Sequence, residues 1–339
     1  MQPDRCWLQC LGEVAEGPVA LTEFGLIERF FAGRGLINPC STLGIGDDCA
    51  LLRVPDDREL AVTTDTMVEN VHFFPGADPG WLGHKLLAVN LSDLAGMGAQ
   101  PVAATLALTL PAVDTAWLEA FSSGFMQLAR KFSLDLIGGD TTSGPLVLTV
   151  QAMGLVPAGA ALRRATARTG DLIYVTGELG DAGLGLKVCQ GFASDDPADA
   201  LRRLHRPEPR IAAGLALRNI ASACIDISDG LASDLGHILR ASGVGASIDW
   251  DRLPFSPAVT DYIARTGDWQ MPLTAGDDYE LCFTIPPEQE AMLAARLQDL
   301  HCSCRQIGSI EASPGLRLRK AGREVPLKDR GYEHFTAAR

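Results

Sequence analysis

Apolar side chains recur with the period of an α-helix in residues 85–101, KLLAVNLSDLAGMGAQP. Leu87, Leu91 and Leu94 fall on one face, so the pattern predicts a helix packed against a core. Two glycines and a proline at the end of the stretch predict that the helix stops there. The rest of the chain is organised around this helix.

Two polar side chains, Asn90 and Asp93, interrupt this apolar helix one turn apart. A buried carboxylate is costly unless it is paired or bound to a metal. Asp93 is therefore either a cap for a neighbouring segment or a metal ligand. The helix by itself leaves both interpretations open.

Runs with the period of a strand alternate with further helical runs. In the first half we predict a helix over 21–31 with Thr22 as its N-cap, strands over 49–54 and 59–64 joined by a Pro-Asp-Asp turn, a strand over 102–110, a helix over 115–132, and strands over 134–137 and 146–156. In the second half we predict strands over 171–176, 223–229, 246–250 and 281–285, with a helix over 230–242. This alternation is typical of an α/β (α+β) protein.

A segment rich in Ala, Gly and Arg, residues 157–170, has little apolar periodicity. We place the domain boundary there, because a chain of 339 residues has the size of two ordinary domains. The predicted organisation is a variable N-terminal extension (1–20), an N-terminal domain (21–157) and a C-terminal domain (158–339).

The net charge of −13 argues against a nucleic-acid binder, which needs a basic surface. No apolar run reaches the roughly 20 residues of a membrane helix, so we expect no membrane partner. The N-terminus has neither a basic nor an apolar signal region, and we expect a cytoplasmic protein. An acidic protein can still bind phosphates if divalent cations lie between the charges.

Six acidic turns stand out, most of them where an apolar run meets Gly, Ser or Thr. They are Asp47/Asp48, Asp65, Asp93, Asp140, Asp226/Asp229 and Asp277/Asp278. One Asp-Gly turn carries no information, but six such positions favour a functional site of hard oxygen ligands suited to Mg²⁺. The usual phosphate-binding motif GxxxxGK[ST] is absent, so metals and a few arginines would have to neutralise phosphate charge. Arg163 and Arg164 are candidates, although a solvated surface pair explains them equally well.

These segments together resemble the thiamine-monophosphate kinases, of the superfamily that includes aminoimidazole ribonucleotide synthetase. The resemblance rests on GIGDDCALL (44–52), TTDTMVENVHF (63–73), KLLAVNLSDLAGMGAQP (85–101), LIGGDTTSGP (136–145), GDLIYVTGELGDAGLGL (170–186), IDISDGLASDLGHI (225–238), AGDDYELCFT (275–284) and GYEHF (331–335). It runs in order through nearly the whole chain after residue 20.

The resemblance implies ATP-dependent phosphorylation of thiamine monophosphate to thiamine diphosphate, with several Mg²⁺ ions and ATP as co-substrate. It also implies a homodimer in which the N-terminal domain contributes strands to an interface sheet or barrel, and a C-terminal α/β domain. From the residues we add direct in-line transfer without a covalent nucleophile or strong base, since the acceptor phosphate is already anionic.

The resemblance also implies roles for individual residues. The positions that match metal ligands are Asp48, Thr63, Thr64, Asp65, Asp93, Asp140, Asp226 and Asp229. The positions that match nucleotide contacts are Gly139, Asp140, Arg164 and Ser228. The positions that match substrate contacts are His72, Asp277 and Tyr332.

Three positions depart from the family pattern. Asp277 follows Ala-Gly rather than Gly-Gly, and an Asp there keeps the charge of the commoner Glu while shortening its reach. Ser122 and Ser123 stand where many members place a Tyr near the adenine. Tyr332 stands where others often have Trp, and either aromatic ring could stack on thiamine.

Two other functions stay open at this point. One is another ATP-dependent synthetase of the same superfamily, and the other is a metal- or nucleotide-binding relative without turnover. The intact set of matched metal positions argues against the second.

Overall fold

A four-stranded and a seven-stranded β-sheet form the two halves of the protein, and a two-stranded sheet accompanies the first. The computed structural model describes residues 22–32, 35–300, 302–327 and 331–332. The predicted extension over 1–20 and residues 333–335 lie outside the described residues. Mixed helices and strands in two sheets confirm the predicted α/β (α+β) class.

The described residues of the first half form three α-helices and six strands. They are α1 (Glu23–Phe30), β1 (Ser41–Leu43), β2 (Leu51–Leu52), β3 (Arg58–Val68), α2 (Pro79–Gly96), β4 (Gln100–Leu110), α3 (Thr115–Lys131), β5 (Asp135–Ser143) and β6 (Val147–Pro157). The larger sheet has the order β3-β6-β4-β5, so β3 and β5 form its two edges. Strands β4 and β5 are parallel, and the other neighbours are antiparallel.

Helix α2 is buried on almost every side, and polar side chains such as Asn90 and Ser92 lie among its apolar ones. It begins at Pro79, six residues before the stretch singled out from the sequence, and the Asp78 side chain caps it by accepting the Trp81 N–H. Close packing against α3 depends on glycine, because a Cβ on Gly83 would lie 2.1 Å from the Phe121 carbonyl oxygen. The predicted N-cap of α1, Thr22, is confirmed by its hydrogen bond from the Gly25 N–H.

The strand pairing corrects one expectation from the sequence. Residues 49–54 and 59–64 do not form a hairpin, because β2 pairs with β1 while β3 pairs with β6. Strand β3 also runs on to Val68, so Asp65 lies inside a strand rather than in a turn after it. The same holds for Asp140, which lies inside β5. Asp65 is in register with Val150 of β6 and Asp140 with Ala107 of β4, so both residues belong to paired backbone.

One face of the four-stranded sheet packs against α2 and α3, and the opposite face is partly open. On β3 the even-numbered side chains point to the open face, where Leu60 and Val62 are 40% and 53% exposed. Thr64 and Thr66 continue this row. The β1–β2 sheet covers part of the same face through Leu52, which packs near Val102.

The described residues of the second half form seven α-helices and seven strands. They are β7 (Leu172–Thr176), α4 (Asp181–Cys189), α5 (Ala198–His205), α6 (Ile211–Leu217), β8 (Ala223–Asp226), α7 (Leu231–Ser242), β9 (Gly245–Asp249), α8 (Pro257–Thr266), α9 (Met271–Thr274), β10 (Leu281–Ile285), α10 (Glu290–Leu297), β11 (Cys304–Glu311), β12 (Gly315–Lys320) and β13 (Arg323–Val325). The sheet order is β13-β12-β9-β11-β7-β10-β8, which places β8 at one edge. No helix in the described part of the chain is long and apolar enough to cross a membrane.

The two halves meet where the C-terminal turn of α2 packs against β8 and α6. A Cβ on Gly214 would lie 2.1 Å from the Ala95 carbonyl oxygen, and one on Gly96 would lie 3.2 Å from the Asp226 backbone nitrogen. Arg218 adds a side-chain hydrogen bond of 2.6 Å to the Gly98 carbonyl oxygen. This close contact brings acidic residues of both halves to one place.

Candidate active site

The carboxyl groups of Asp65 on β3 and Asp93 on α2 are hydrogen-bonded to each other. Burial, the charge of Asp93 and this shared proton raise the pKa of Asp65 to about 7. Burial also raises the pKa of Asp93, while a hydrogen bond from the Thr63 hydroxyl opposes that rise. The amide oxygen of Asn90 accepts the Asp65 N–H at 3.2 Å, which fixes the strand against the helix.

The third carboxylate of this cluster comes from the other half of the protein. Asp226 ends β8, is only 4% exposed, and accepts a hydrogen bond of 2.8 Å from Ser92 on α2. Burial and the charge of Asp93 raise its pKa to about 8. The charge of Asp93 therefore acts on both of the other carboxyl groups, which lie on two other elements. We call Asp65, Asp93 and Asp226 the acidic cluster.

The acidic cluster suits a divalent cation on chemical grounds. The ion pairs formed among the described residues leave its three carboxylates out, and burial raises the pKa of each, so that they hold protons more tightly than exposed carboxyl groups do. A cation could replace those protons and remove the repulsion. Within residues 22–327 and 331–332, apart from the gaps, no three His, Cys, Asp or Glu side chains form a ready-made metal site. Mg²⁺ commonly uses only one or two carboxylates and completes its shell with water and phosphate oxygens.

The turn after β8 is held by Asp234 on α7, which accepts the N–H groups of Ser228 at 3.1 Å and Asp229 at 3.0 Å. Burial raises the pKa of Asp234 to about 7, in spite of these two hydrogen bonds. The carbonyl oxygen of Asp229 accepts the Tyr332 N–H at 3.1 Å, so the chain end that carries Tyr332 lies beside this turn.

The loop before β10 places Asp277 next to the same turn. The Asp277 N–H donates to the Ser228 carbonyl oxygen at 2.9 Å. Its side chain forms an ion pair of 3.0 Å with Lys85 on α2 and accepts a hydrogen bond of 2.9 Å from the Tyr279 hydroxyl. The neighbouring Asp278 has a different role, because its buried carboxyl accepts the Gly180 N–H at the entry to α4.

Two further predicted contact residues have suitable geometry. The Nδ1 atom of His72 accepts the Val68 N–H at 3.0 Å, so the neutral imidazole carries its proton on Nε2. Arg164 is exposed, and its positive charge lowers the pKa values of Asp93, Asp226 and Asp234 against the effect of burial. Arg163 is also exposed.

Four predicted residues lie apart from the acidic cluster within one chain. Asp140 and Gly139 belong to β5, three strands away from β3, and Asp140 is in register with Ala107 on the open face. Thr64 lies on that open face as well, pointing away from Asp65. Asp48 is exposed in the β1–β2 connection, with its N–H bonded to Asp47.

Glycine at position 139 also has a structural reason. A Cβ there would lie 1.9 Å from the Leu106 carbonyl oxygen, so no larger residue fits beside β4. The positions considered for an adenine contact diverge, since Ser122 is buried against the Glu119 carbonyl oxygen whereas Ser123 is exposed.

Four residues of the site were not predicted from the sequence: Lys85, Ser92, Asp234 and Tyr279. Each lies inside one of the motifs named above, and Lys85 and Ser92 are buried polar residues of a mainly apolar helix. A polar side chain in such a helix indicates a buried polar contact. The partner of that contact, however, comes from the other half of the chain.

The AIR synthase related protein family models match most of this chain. The N-terminal domain model covers residues 46–156, and the C-terminal domain model covers residues 168–321. The thiamine-monophosphate kinase of Escherichia coli (strain K12) is 48% identical over 322 residues, covering 94% of this chain and 99% of that protein.

Solved structures agree with these matches. The crystal structure of thiamine-monophosphate kinase from Stenotrophomonas maltophilia K279a has a TM-score of 0.82 and 44% identity, over 90% of this chain and 98% of that one. A structure of AaThiL complexed with AMPPCP and TMP has a TM-score of 0.73 and 27% identity, over 93% and 97% of the two chains. The chain therefore belongs to the AIR synthase related family and, within it, to the thiamine-monophosphate kinases.

Proposed function

We propose that this protein is an ATP-dependent kinase that phosphorylates thiamine monophosphate to thiamine diphosphate. The names of its relatives and the AaThiL complex with the ATP analogue AMPPCP and with TMP support this reaction. The structural observation that carries the proposal is the acidic cluster, in which carboxylates of both halves meet with raised pKa values. Such a cluster suits substrates that arrive with divalent cations.

Asp65, Asp93 and Asp226 are the residues that would hold Mg²⁺, with Asp229 on the adjoining turn. When bound, Mg²⁺ supplies positive charge that offsets the negative phosphate oxygens of both substrates. Thr63 orients Asp93 through its hydroxyl, and Ser92 orients Asp226. These two hydrogen bonds limit the rotation of the Asp93 and Asp226 side chains.

The reaction needs orientation more than proton transfer. An oxygen of the thiamine monophosphate phosphate is already anionic near neutral pH, so it can attack the terminal phosphorus of ATP directly. We propose in-line transfer in which Arg164 and Ser228 contact the nucleotide while His72, Asp277 and Tyr332 contact the acceptor. His72, with its proton on Nε2, and Tyr332, with its half-exposed ring, carry the chemistry that such contacts need.

We also propose a homodimer formed through the open face of the four-stranded sheet. Leu60 and Val62 are apolar and exposed there, which is unfavourable in water. A second copy packed on this face would cover them, together with Thr64 and Asp140. The two protomers would then share residues that a single chain keeps apart from its acidic cluster.

The test of the reaction is ADP release by the purified full chain with ATP and Mg²⁺, together with direct detection of thiamine diphosphate. Thiamine monophosphate, thiamine and an aminoimidazole ribonucleotide precursor are compared as acceptors. Thiamine diphosphate formed only from the monophosphate is the expected result. Turnover with another acceptor would show that the proposed substrate is wrong. Absence of turnover with all three acceptors would contradict the proposed kinase activity.

A further inference from the structure

A buried lysine joins the central helix to the loop that carries Asp277. The side chain of Lys85 is 8% exposed, and its Nζ lies 3.0 Å from Oδ2 of Asp277, whose side chain is 35% exposed. The cation is thus enclosed by protein, while the carboxylate keeps part of its surface open. Lys85 therefore binds the carboxylate on its protein-facing side, and the solvent-facing side is left open to a ligand.

The second oxygen of Asp277 is held as well. The Tyr279 hydroxyl donates to Oδ1 at 2.9 Å, so the two oxygens have different protein donors. A carboxylate has about four lone-pair positions, which leaves capacity for a ligand after these two bonds. The side chain cannot rotate without losing one of its donors.

The backbone of this loop is fixed in an uncommon conformation. Asp277 has a φ of 69° and Tyr279 a φ of 50°, both in the left-handed region. Their N–H groups donate to the carbonyl oxygens of Ser228 and Ile227 at 2.9 and 2.8 Å. Non-glycine residues persist in this region only where surrounding contacts over-determine them, and such positions cluster at ligand sites.

The Lys85–Asp277 pair is continuous with the acidic cluster. Burial and the charges of Asp277, Asp65 and Asp226 all raise the pKa of the Tyr279 hydroxyl, so this hydroxyl responds to the charges of both the loop and the cluster. Lys85 and Asp93 are carried by the same helix, about 12 Å apart along its axis. One rigid helix therefore fixes both the carboxylates of the cluster and the carboxylate of the loop.

Stability alone does not account for a lysine here. Burying an ammonium group is costly, and replacing a buried ion pair by apolar side chains is often neutral or stabilising. The residues one turn away from Lys85 on α2 are Trp, Leu, Ala and Val, so its own helix supplies no counter-charge. A function in orienting Asp277 explains the cation better.

We propose that Lys85 is a positioning residue. Together with Tyr279, it holds the carboxylate of Asp277 toward the ring portion of the acceptor substrate, whose two rings carry a positive charge and an amino group. This inference rests on the proposed function. A fixed orientation matters more for Asp277 than for a longer glutamate, because a short side chain reaches fewer ligand positions. The charge of Lys85 also limits the repulsion between Asp277 and the acidic cluster.

The experiment compares Lys85→Met, Asp277→Asn and the double variant in steady-state kinetics with thiamine monophosphate and ATP varied separately. Asn is the matched change for Asp277, because it keeps the shape and tolerates a left-handed φ. The control is Lys131→Met, which removes a lysine from an exposed ion pair with Glu208 at the end of α3. Thermal unfolding of every variant is measured alongside.

For Lys85→Met we expect the KM for thiamine monophosphate to rise about tenfold, the usual effect of losing one charged hydrogen bond at an anchoring group. The KM for ATP and the melting temperature stay as in the unmodified protein. The double variant resembles Asp277→Asn, since the lysine acts only through that carboxylate. Lys131→Met leaves both KM values unchanged.

Three results would overturn the inference while leaving the proposed reaction intact. They are an unchanged KM for thiamine monophosphate in Lys85→Met, equal rises in both KM values, and a double variant whose effect is the full product of the single effects. If the unmodified protein forms no thiamine diphosphate, the proposed function itself is contradicted. That measurement uses no variant, so the two failures are distinguishable.

Discussion

The Ser92 hydroxyl on α2 donates a hydrogen bond of 2.8 Å to Oδ2 of Asp226, the last residue of β8. Both residues are buried, and they come from different halves of the chain. This bond is the point at which the helix organising the first sheet orients a carboxylate of the second. It makes the geometry of the acidic cluster dependent on the packing between the halves.

The first prediction concerns this bond. Ser92→Ala removes a donor from a buried carboxyl group, so we expect the free energy of unfolding to fall by about 1–2 kcal/mol. The pKa of Asp226 would rise further, since Ser92 opposes the effect of burial. Urea denaturation measures the loss. Ser123→Ala, at an exposed position on α3, is the matched control and should leave stability unchanged.

Replacing Asp93 should lower the activity of the protein without lowering its stability. Asp93→Asn removes a charge that raises the pKa values of Asp65 and Asp226, so the protein without Mg²⁺ should be equally or more stable. Turnover should fall by about 10²-fold or more, as for loss of one electrostatic catalytic contact. Initial rates across a Mg²⁺ titration test this. Full turnover with an unaltered Mg²⁺ requirement would show that Asp93 is not a ligand.

The raised pKa values of Asp65 and Asp226, about 7 and about 8, predict an uncommon pH dependence. The folded protein holds these protons more tightly than the unfolded chain, so their contribution to stability is complete below about pH 4 and is lost as the pH rises through 7 to 8. In EDTA we expect the free energy of unfolding to fall by about 3–4 kcal/mol between roughly pH 6 and pH 8.5.

Mg²⁺ should reverse this trend. Since protons and metal compete for the same carboxylates, the stabilisation by Mg²⁺ should grow over the same pH interval. Urea denaturation with Mg²⁺ and with EDTA at both pH values measures the difference, and Asp93→Asn should reduce it. Equal stabilisation by Mg²⁺ at both pH values would argue that the ion binds elsewhere.

Glu280 lies in a buried ion cluster that we do not assign to the reaction, and replacing it should lower the stability of the protein strongly. Glu280 is fully buried and pairs with Arg203 and Arg210, and it also accepts a hydrogen bond of 2.6 Å from Thr176. Glu280→Gln leaves two enclosed guanidinium groups without a counter-charge, so we expect a loss of about 3–5 kcal/mol.

The control for the Glu280 variant is Glu208→Gln, in an exposed pair with Lys131. Exposed pairs contribute little, so its effect on stability should stay below about 1 kcal/mol. Thermal and urea unfolding are measured for both variants. Similar small effects in the two proteins would show that the guanidinium groups of Arg203 and Arg210 find other partners.

The last prediction concerns the proposed homodimer. Val62→Lys places a charge in the middle of the open sheet face, so we expect a shift from dimer to monomer and lower activity. Light scattering coupled to size-exclusion chromatography measures the mass. Val113→Lys changes an equally exposed valine in the loop before α3 and should leave the mass unchanged. A dimer that survives Val62→Lys would place the interface on another surface.

Local sequence was sufficient for most of the elements. The apolar period and the terminal glycines of residues 85–96 predict the central helix, and the pattern of 102–110 predicts β4, because both are buried runs with clear ends. The acidic positions Asp65, Asp93 and Asp226 were also recognisable, since each breaks or ends an apolar run. Their meaning came from a resemblance that extends over nearly the whole chain.

Pairing between strands was not predictable in the same way. The Pro-Asp-Asp turn before β3 suggests a hairpin with β2, yet β3 pairs with β6, which lies about 90 residues further along the chain. Asp65 and Asp140 were assigned to turns because Gly and Thr surround them. In the sheet both lie within strands, where β-branched threonines fit the pleat.

The sequence by itself therefore determined the class of fold, the central helix and the acidic residues, because these depend on local periodicity and on side-chain chemistry. Only the tertiary structure decided which carboxylates meet. It brings Asp226 to Asp93 through the contact of α2 with β8, and Asp277 to Lys85 across 192 positions of sequence. It also puts Asp140 on the opposite sheet edge, because strand order and side-chain direction result from packing of the whole chain and are not local properties.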